Sequence, residues 1–578
     1  MNIITNPAQM VVWENRLRNE PFAFDFETLE IKYGEPITVL GVSFATNSDS
    51  CYLPLRGKKV DVGAGTKLLK SVMKSKQMKV AHMLQFETAV CWQLGIDVRW
   101  PWGDSMVAAF NHNCARFKYG LKEVCTYYGI EPAVDFDELT KEKSMEEFSI
   151  EEMAKYSIPH SENTLELHNR IEKCLKASGG WSSYYDIDMP CLPSVVWLEK
   201  NGVEVDVEQA EKLSSWMRSQ EEALEQEAAD LVGRKFSLAP SNDLRDTLFK
   251  QLRLPVNKLT GKTQIPCVDE ESLRRLDHPV VDIILKYREI QKMRSTFIDA
   301  IPKFAINGRM YPRLHMTSAR SGRFSSSNPN EQNIPTDETY GVRNLFIAAD
   351  GNKLSVADYS QIEMRLAAVL SGDKQLLDVY KNNLDIHAKT AQMLFGKVDK
   401  KTRSDGKTIN FAVSYGQGPA ALASTLKISK SKAQEYLNNY WKLYSGLASY
   451  NRYLINSARL TGYTKTVGGR QRALYQINSS DGFRRSMDER IATNHPVQGT
   501  AAEVLKIAQT KLYERFGNTE AKLVLSVHDE LVLDAPADII EDVSREQVKI
   551  MSELGERIKF EIPLSVNCKI GNNWGECK

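Results

Sequence analysis

One short segment near the end of the chain constrains the fold more than any other. Residues 523–534 read LVLSVHDELVLD, in which two apolar runs are separated only by His528 and Asp529. Such a pattern predicts a β-hairpin, because only antiparallel strands can be joined by so short a connection. Asp529 is therefore expected at the tip of a hairpin. Taken alone, an aspartate in a tight turn is most often a turn former.

A second aspartate, Asp358, follows another apolar run. Residues 353–357 predict a buried strand, and apolar residues then recur at helical spacing from Ile362 to Leu370. An aspartate between a strand and a helix is often only a helix cap, and Ser360 could serve as a cap as well. As with Asp529, this simple interpretation is preferred when the residue is considered by itself.

Between the two aspartates lies a segment with the pattern R-x-x-x-K-x-x-N-F-x-x-x-Y-G, at residues 403–416. On a helix, Arg403, Lys407 and Phe411 are spaced i, i+4 and i+8, so they share one face. Arginine and lysine are natural partners for phosphate, and an aromatic ring beyond them suits a sugar or a base. The alternative is an ordinary helix that buries its apolar residues and exposes its cations.

Only two basic segments, and not the net charge of the whole chain, point to a possible phosphate-containing partner. The chain has 578 residues, 42% of them apolar, and a net charge of +1, so overall charge does not indicate a nucleic-acid partner. Residues 381–407 carry seven basic side chains against three acidic ones, and residues 459–472 carry four basic side chains and no acid. These stretches could follow phosphates, although each could also be a solvated helix face.

The cysteines and the first residues argue against a secreted or membrane protein. None of the nine cysteines forms a C-x-x-C pair, which argues against zinc and favours reduced thiols in a cytosol-like compartment. The segment MNIITNPAQM lacks the charged and apolar regions of a signal peptide, and no apolar run is long enough to cross a bilayer. We therefore expect a cytoplasmic protein without a membrane role.

Taken together and in this order, the segments resemble the motifs of family A DNA polymerases, the class of bacterial DNA polymerase I. DYSQIEMR at 358–365 resembles motif A, residues 403–416 resemble motif B, and VHDE at 527–530 resembles motif C. Further matches are TSARSGRFSSSNPNEQNIP at 317–335, NHPVQGTAAE at 494–503 and NWGECK at 573–578. The resemblance covers residues 190–578 and implies a right-hand polymerase of palm, fingers and thumb, an α+β fold.

The first part of the chain is predicted to be a separate α/β domain. Short apolar runs at 22–26 and 38–44 predict strands, and acid-rich helical patterns follow around residues 137–175. The Gly-, Pro- and Ser-containing segment 179–193 is interpreted as a junction between domains. We expect an exonuclease-like (RNase H-like) domain at 1–190, a thumb at 191–310, palm at 311–380, fingers at 381–475 and more palm at 476–578.

The thumb is expected to be mostly helical and compact. Residues 209–231 predict a long amphipathic helix, and 282–304 predict a further helical region beyond an irregular loop. Family members that use thioredoxin carry a long insertion at the thumb tip, and none is present here, so no thioredoxin partner is expected. The short segment before residue 22 leaves no room for a 5′-nuclease domain.

The resemblance also implies a metal site. Two Mg²⁺ ions, for which Mn²⁺ may substitute, would be held by Asp358, Asp529 and the backbone carbonyl of Tyr359. Hard cations of this kind bind carboxylate and phosphate oxygens, and they would activate the primer 3′-hydroxyl and stabilise the leaving pyrophosphate. Glu530, next to Asp529, is a weaker candidate ligand.

The same resemblance assigns roles around the nucleotide and the DNA. The residues assigned to the dNTP are Gln361, Glu363, His387, Arg403, Lys407, Phe411 and Tyr415. Among them, Glu363 would block a ribose 2′-hydroxyl, and Lys407 could donate a proton to pyrophosphate. The residues assigned to primer-template DNA are Arg323, Asn494, Gln498 and His528. Donors in the minor groove sense pairing geometry without reading sequence.

The N-terminal domain resembles a proofreading 3′-5′ exonuclease with altered motifs. Asp25 and Glu27 in FAFDFET alternate on a strand, so they point the same way and could share a metal, unless they lie on an exposed edge strand. In the later motifs Tyr156 is in place, but Glu87 replaces an aspartate and His160 stands where a metal-binding aspartate belongs. We expect an exonuclease fold with weak or no proofreading.

The predicted function is that of a DNA-directed DNA polymerase (EC 2.7.7.7) in replication or repair. It would act as a monomer on primer-template DNA with dNTPs, in the host cytoplasm if a phage encodes it, as the compact layout suggests. Three alternatives stay open: a non-catalytic DNA-binding scaffold, an enzyme that is mainly a nuclease, and an RNA-synthesising relative. Intact motif residues, altered exonuclease motifs and Glu363 respectively argue against them.

Overall fold

A computed structural model describes residues 2–29, 36–57, 60–116, 118–134, 144–261, 263–336, 339–414, 416–557 and 560–577. The chain divides into two compact units. The first unit consists of Met1–Asn201, Leu314–Ser326 and Ser355–Lys569, and the second of Gly202–Arg313, Ser327–Leu354 and Ile570–Lys578. Among the described helices, none combines the length and the apolar character needed to cross a membrane. All nine cysteines are free thiols, as predicted.

The N-terminal part of the first unit is built on a six-stranded mixed sheet. Its strands are β1 (Asn2–Ile3), β2 (Phe22–Thr28), β3 (Val39–Thr46), β4 (Ser50–Pro54), β5 (Lys79–Ala81) and β6 (Trp102–Asp104), in the spatial order β1-β4-β3-β2-β5-β6. Strand β2 pairs antiparallel with β3 and parallel with β5, so it lies at the centre of the sheet. The predicted strands at 22–26 and 38–44 are confirmed.

The helices of this part pack on both faces of the sheet. They are Pro7–Asn19, Val62–Met73, Leu84–Gln93, Ser105–His112, Leu121–Tyr127, Ile150–Ser178 and Met189–Asn201. On β2, Phe22, Phe24 and Phe26 share one face, and neighbouring ring centroids are 6.0–6.3 Å apart. Because side chains alternate along a strand, Ala23, Asp25 and Glu27 lie on the opposite face. There Ala23 packs in one apolar cluster with Leu165 of the helix Ile150–Ser178.

The segment interpreted as a domain junction, 179–193, is largely helical. A π-helix covers Ser183–Asp188, and the helix Met189–Asn201 follows it directly. Buried side chains hold this segment inside the first unit, including Tyr184, Asp188 and Cys191. Glycine, proline and serine predict a loop by local preference, but burial of the intervening apolar and charged side chains overrides that preference.

Asp188 is the centre of a buried charge cluster, which comprises Asp188, Arg470, Lys506 and Asn111. Arg470 donates to both carboxylate oxygens at 2.9 and 3.1 Å, Lys506 donates at 2.9 Å, and Asn111 donates at 2.7 Å. Burial by itself raises the pKa of Asp188, but the two cations outweigh it and hold this pKa well below its usual range. Burial lowers the pKa of Lys506 despite Asp188, because one carboxylate cannot fully balance two cations.

The second unit contains the predicted helical thumb. Its main helices are Val207–Val232 and Pro279–Met293, with shorter ones at Asn242–Arg245, Glu270–Leu273 and Ala300–Phe304 and π-turns at Asp246–Gln251 and Arg294–Ile298. The predicted helices at 209–231 and 282–304 are confirmed, the latter with a π-turn in its middle. Arg294 pairs with Glu221 at 2.7 Å and with Asp299 at 2.6 Å, and the Glu221 contact ties the middle of the helix Val207–Val232 to the π-turn. This unit also contains β7 (Val203–Val205), β8 (Arg309–Met310) and β11 (Phe346–Ile347), in the order β11-β7-β8. Two further sheets of two strands pair β9 (Arg313–His315) with β10 (Ser325–Ser327) and β13 (Tyr463–Lys465) with β14 (Gln471–Ala473).

The palm is a four-stranded sheet with the order β15-β16-β12-β17. These strands are β12 (Asn352–Tyr359), β15 (Lys522–Val527), β16 (Glu530–Pro536) and β17 (Val566–Gly571). Strands β15 and β16 form the predicted hairpin, in which Val527 pairs with Glu530 across the turn. Leu523, Val524, Leu525, Leu531, Val532 and Leu533 are all completely buried, because helices cover both faces of this sheet.

The palm and fingers contain the helices that the sequence predicts after Asp358 and around Arg403. Their helices are Ile362–Ser371, Lys374–Lys381, Ile386–Phe395, Lys400–Ser414, Pro419–Leu426, Lys430–Leu443, Ser445–Thr461, Gly482–Phe516 and Ile540–Arg557. The helices Ile386–Phe395 and Lys400–Ser414 approach closely at Gly406, where an added Cβ would lie 2.7 Å from the carbonyl oxygen of His387. Glycine at this position therefore lets the two helices place their side chains side by side.

Candidate active site

The two aspartates singled out by the sequence lie at the ends of neighbouring strands. Asp358 is the last residue but one of β12. Asp529 lies in the hairpin turn that precedes β16, and β16 is next to β12 in the sheet. The backbone N–H of Tyr359 donates to the carbonyl of Asp529 at 3.1 Å. Both aspartate side chains are partly exposed. The fold thus brings together two carboxylates that are separated by most of the palm and fingers in sequence.

One residue close in sequence to each aspartate has an unfavourable backbone conformation. His528 has φ = 56° and Gln361 has φ = 55°, which lies in the left-handed region that glycine normally occupies. Such a conformation costs on the order of 1–3 kcal/mol and is typical of functional sites. At Gln361 the side chain is fixed as well, because the Tyr380 hydroxyl donates to Gln361 Oε1 at 3.1 Å.

A cavity of about 310 Å³ opens beside Asp529. Its lining contains seven of the residues predicted from sequence: Arg323, Gln361, Glu363, His387, Phe411, His528 and Asp529. The remaining lining residues are Ile362, Met364, Asn410 and Ser414, to which the sequence analysis gave no role. Their helical positions next to Glu363 and Phe411 are the signal that could have found them. One concave site is therefore lined by the palm hairpin turn, the helix Ile362–Ser371 and two finger helices.

Glu363 is held in place by Arg323. The Arg323 guanidinium donates to Glu363 Oε1, and the same guanidinium nitrogen lies 3.9 Å from Asp529 Oδ1. Burial raises the pKa of Glu363; the Arg323 charge lowers it in part, and the Asp529 charge raises it further. Arg323 therefore links the predicted sugar-discriminating residue to one of the three predicted metal ligands.

His387 is oriented by Asn410. The Asn410 amide donates to His387 Nδ1 at 3.0 Å, and Thr390 donates to the Asn410 oxygen at 3.1 Å. Asn410 is completely buried. Burial lowers the pKa of His387, and the nearby Arg403 and Lys407 charges lower it further, although Asp385 opposes them. The neutral imidazole therefore carries its proton on Nε2, the nitrogen that Asn410 leaves available.

The predicted cationic helix face is present on Lys400–Ser414. Arg403 and Lys407 are exposed, and Phe411 follows them on the same face, 5.9 Å from Lys407 Nζ by ring centroid. The Phe411 ring lies 5.9 Å from the His387 ring. Arg403 donates to Asp385 at 2.6 Å, a pair that keeps the guanidinium at the start of the helix. Tyr415 lies outside the described residues.

Asn494 and Gln498 lie on the helix Gly482–Phe516 and are half-buried. Together with Glu363 and Ser414 they line a small cavity of about 30 Å³ that adjoins the larger one. Their side chains thus line the same small cavity as Ser414 of the finger helix. The four residues predicted to contact DNA therefore all line one of these two cavities.

The exonuclease-like domain contains a second group of charged side chains. One ligand atom each from Asp25, Glu27 and His160 lies within 4.8 Å of the others. Tyr156, one turn before His160, packs edge-on against the imidazole at a centroid distance of 4.4 Å. Glu87 lies outside this group, and its Oε2 accepts the backbone N–H of Phe26 at 3.0 Å. The predicted orientation of Asp25 and Glu27 to one face is confirmed.

Burial dominates the electrostatics of this group. It raises the pKa of Asp25, of Glu27 and of Glu87, and for Glu27 and Glu87 the charge of Asp25 raises the pKa further. For Asp25 the His160 charge acts in the opposite direction. Carboxylates crowded together out of water are costly without a compensating cation. Glu162, two residues after His160 on the same helix, accepts from the Ser50 hydroxyl at 2.5 Å.

The architecture is that of an α/β exonuclease-like (RNase H-like) domain followed by a right-hand polymerase. Residues 207–576 match the family model described as DNA polymerase family A. Over its whole length the chain is 31% identical to the DNA polymerase I of Pseudomonas aeruginosa and 33% identical to that of Chloroflexus aurantiacus. It spans 66% and 63% of the length of these two relatives. The chain belongs to DNA polymerase family A.

A solved structure shows the same fold. The POL domain of Pol1 from M. smegmatis, in complex with DNA primer-template and dNTP, superposes with a TM-score of 0.89 at 24% sequence identity. The match covers 100% of this chain and 99% of that chain. At this identity the similarity establishes the fold.

Proposed function

We propose that the protein is a template-directed DNA polymerase that transfers deoxynucleotidyl groups from dNTPs to a primer 3′ end. The main observation behind this proposal is the cavity of about 310 Å³, in which Asp529 and Glu363 of the palm meet His387 and Phe411 of the finger helices. Family membership and the polymerase relatives support the same activity. A site of this composition combines acidic groups on the palm side with an imidazole and an aromatic ring on the finger side.

The residues present fit a pair of Mg²⁺ ions. Asp358 and Asp529 lie at adjacent strand ends, both are partly exposed, and Asp529 lines the cavity. Carboxylate oxygens are the ligands that Mg²⁺ prefers. Asp358, Asp529 and the Tyr359 carbonyl would hold the metal, with Mn²⁺ as a substitute. When bound, such ions lower the pKa of the primer 3′-hydroxyl and neutralise charge on the pyrophosphate.

The chain's own residues then position the nucleotide. Arg403 and Lys407 are exposed on one helix face and would bind the triphosphate, for which Arg403 would exchange its contact with Asp385. His387 is kept neutral by burial, and its Nε2–H would donate to a phosphate oxygen. Lys407 would give a proton to the departing pyrophosphate. Phe411 would cover the sugar, and Arg323, Asn494, Gln498 and His528 would contact the primer-template.

Primer extension on a 5′-labelled primer-template tests this proposal. With Mg²⁺ and dNTPs, we expect extension to the end of the template, and no extension when Mg²⁺ is removed by a chelator. Folded protein that binds the DNA but does not extend the primer would contradict the proposal and favour a non-catalytic scaffold. Incorporation of ribonucleotides as readily as deoxynucleotides would favour an RNA-synthesising relative.

Glu363 is expected to exclude ribonucleotides by its bulk. Truncation in Glu363→Ala should raise the efficiency of ribonucleotide incorporation relative to dNTP by about 10- to 200-fold, the effect of relieving a contact of 1–3 kcal/mol. The matched variant Glu363→Gln keeps the side-chain size and should keep the discrimination. The ratio of kcat/KM for the two substrates is the readout, because loss of the Arg323 contact could lower both rates together. An unchanged ratio in Glu363→Ala would contradict the assignment.

We infer that proofreading by the N-terminal domain is weak or absent. His160 takes the position of a metal-binding aspartate, and Glu87 is committed to the backbone N–H of Phe26. Incubation of a 3′-mismatched primer without dNTPs should show little trimming with Mg²⁺ or Mn²⁺. Efficient trimming that Asp25→Ala abolishes would overturn this inference.

We further propose that the enzyme works as a monomer, without thioredoxin, in the cytoplasm of its host. The loop at the thumb tip is short, with an isolated bridge between Leu259 and Pro266. Thioredoxin should therefore leave the product length per binding event unchanged. Light scattering should give the mass of one chain at 65.4 kDa.

A further inference from the structure

The segment that carries Arg323 makes a tight turn just before that residue. Residues 316–324 connect β9 to β10, and within them Gly322 has φ = 85°. The Gly322 N–H donates to the carbonyl of Ala319 at 2.8 Å, which closes the turn. Arg323 then contacts Glu363 and Asp529 of the palm. The position of one site residue therefore depends on where this turn is held.

Gly322 packs against the guanidinium of Arg470, a member of the buried charge cluster. A Cβ at position 322 would lie 2.7 Å from Nε and 3.1 Å from Cζ of Arg470. No Cβ fits at the shorter of these distances, and the positive φ also favours a residue without one. The turn and the guanidinium can therefore be in contact only because residue 322 is glycine.

Two further contacts hold the same segment on either side of Gly322. The Lys506 ammonium, also in the buried charge cluster, lies 5.4 Å from the centroid of the Phe324 ring. The Cys114 thiol, which follows the helix Ser105–His112, donates to the carbonyl of Arg320 at 3.0 Å. The backbone is thus fixed on both sides of the turn.

Residues of the N-terminal domain fix Arg470 in turn. Arg470 is completely buried, and two of its guanidinium nitrogens donate to the carboxylate of Asp188. Asn111 donates to the same carboxylate at 2.7 Å, and the Phe110 ring lies 5.3 Å from the guanidinium carbon. A guanidinium with these neighbours cannot move away from Gly322 without leaving a buried charge unpaired.

We propose that Arg470, held by Asp188, is a positioning residue for Arg323, and that the N-terminal domain supports the polymerase site through this contact. Asp188 fixes Arg470, Arg470 fixes the turn at Gly322, and the turn places Arg323. The inference rests on the proposed polymerase function, in which Arg323 contacts the primer-template. A displacement of about 1 Å at such a residue can lower the rate about 100-fold.

Gly322→Ala tests the contact directly. The added Cβ would push the turn away from Arg470, so kcat/KM for dNTP incorporation should fall by about 100-fold. Gly351→Ala is the matched control, because Gly351 has φ = 76° and an added Cβ there meets no atom of the described residues within 4 Å. It introduces the same backbone strain without the clash and should extend a primer like the parent chain. Extension by Gly322→Ala at the rate of the parent chain would overturn the proposal.

A double-mutant cycle with Arg323→Ala shows whether Gly322 acts through Arg323. Residues that act as a unit are not additive, so Gly322→Ala/Arg323→Ala should have the kcat/KM of Arg323→Ala alone, within about twofold. Losses that multiply in the double variant would mean that the two residues act independently, and the proposal would be wrong.

The same four chains are compared for primer-template affinity by fluorescence anisotropy. If the parent chain binds DNA but does not extend the primer, the proposed polymerase function fails, and the affinities still decide the positioning. In that case Gly322→Ala should weaken binding in the parent chain but not in the Arg323→Ala background. Equal affinity of all four chains would overturn the proposal.

A second variant and a second readout separate positioning from loss of the fold. Arg470→Lys keeps a cation beside Asp188 but cannot make the paired contact, so kcat/KM should fall by about tenfold or more, and not in the Arg323→Ala background. The readout is the ratio of extension from matched and mismatched primer ends. A smaller folded fraction lowers both rates equally, whereas a displaced Arg323 lowers the ratio, because minor-groove donors sense pairing geometry. Lower rates with an unchanged ratio in both variants would overturn the proposal.

Discussion

Asp529→Ala is expected to abolish DNA synthesis while leaving primer-template binding nearly unchanged. Asp529 lies in a partly exposed turn beside β12, where it meets Arg323 and the strand that carries Asp358. Loss of a metal ligand removes stabilisation of several kcal/mol from the transition state. At about 1.4 kcal/mol per factor of ten, kcat should fall by about a thousandfold or more. Single-turnover primer extension measures the rate, and fluorescence anisotropy of a labelled duplex measures binding.

Two variants control for the shape and position of Asp529. Asp529→Asn keeps the side-chain shape but removes the charge, and it should fail to nearly the same extent. Asp538→Ala removes an exposed aspartate just beyond the end of β16 and should leave the rate unchanged. If DNA affinity fell as far as the rate in Asp529→Ala, the residue would act in DNA binding and the metal assignment would be wrong.

Asp188→Ala is expected to destabilise the first unit by about 3–5 kcal/mol, the cost of removing one partner from a buried ion pair. Arg470 and Lys506 are 0% and 1% exposed and would lose the carboxylate that bridges them. Urea unfolding followed by tryptophan fluorescence measures the effect on the first transition, because a chain of this size does not unfold in one step.

Asp186→Ala provides the matched control for this variant. Asp186 is exposed and lies two residues away in the same π-helix, so its removal should change the unfolding free energy by less than about 0.5 kcal/mol. If Asp188→Ala lowered the unfolding free energy by less than about 1 kcal/mol, water or a neighbouring acid such as Glu503 would be compensating the two buried cations. In that case the buried charge cluster would not hold the helical segment in place.

The elements that sequence analysis predicted correctly are those with strong local patterns. The hairpin around His528 and Asp529, the strand before Asp358 and the helix bearing Arg403, Lys407 and Phe411 all form where periodicity indicates them. Periodicity is a local property, so it determines secondary structure without information about distant residues. Segment 179–193 is the exception, because the partners of Asp188 lie about 280 and 320 residues further along the chain.

The same distinction applies to the candidate site, where local motifs identified residues and packing determined their contacts. Motif order identified the aspartates and the cationic helix, but not that Asn410 orients His387 or that Arg323 joins Glu363 to Asp529. These contacts depend on how closely two helices approach, as at Gly406, and on which side chains a buried strand end leaves partly exposed. Packing distances of this kind are not encoded in the spacing of residue types.

By itself, the sequence determined the family motifs, their order and the replacement of an acid by His160 in the N-terminal domain. Only the tertiary structure decided where His160 lies, because its imidazole contacts the Val134 carbonyl at 3.0 Å and lies 3.9 Å from Asp25 only when its helix packs on β2. Chemistry at a site requires both residue types and their separation in space. The first is written along the chain, and the second arises only when strand β2 and the helix Ile150–Ser178 pack together.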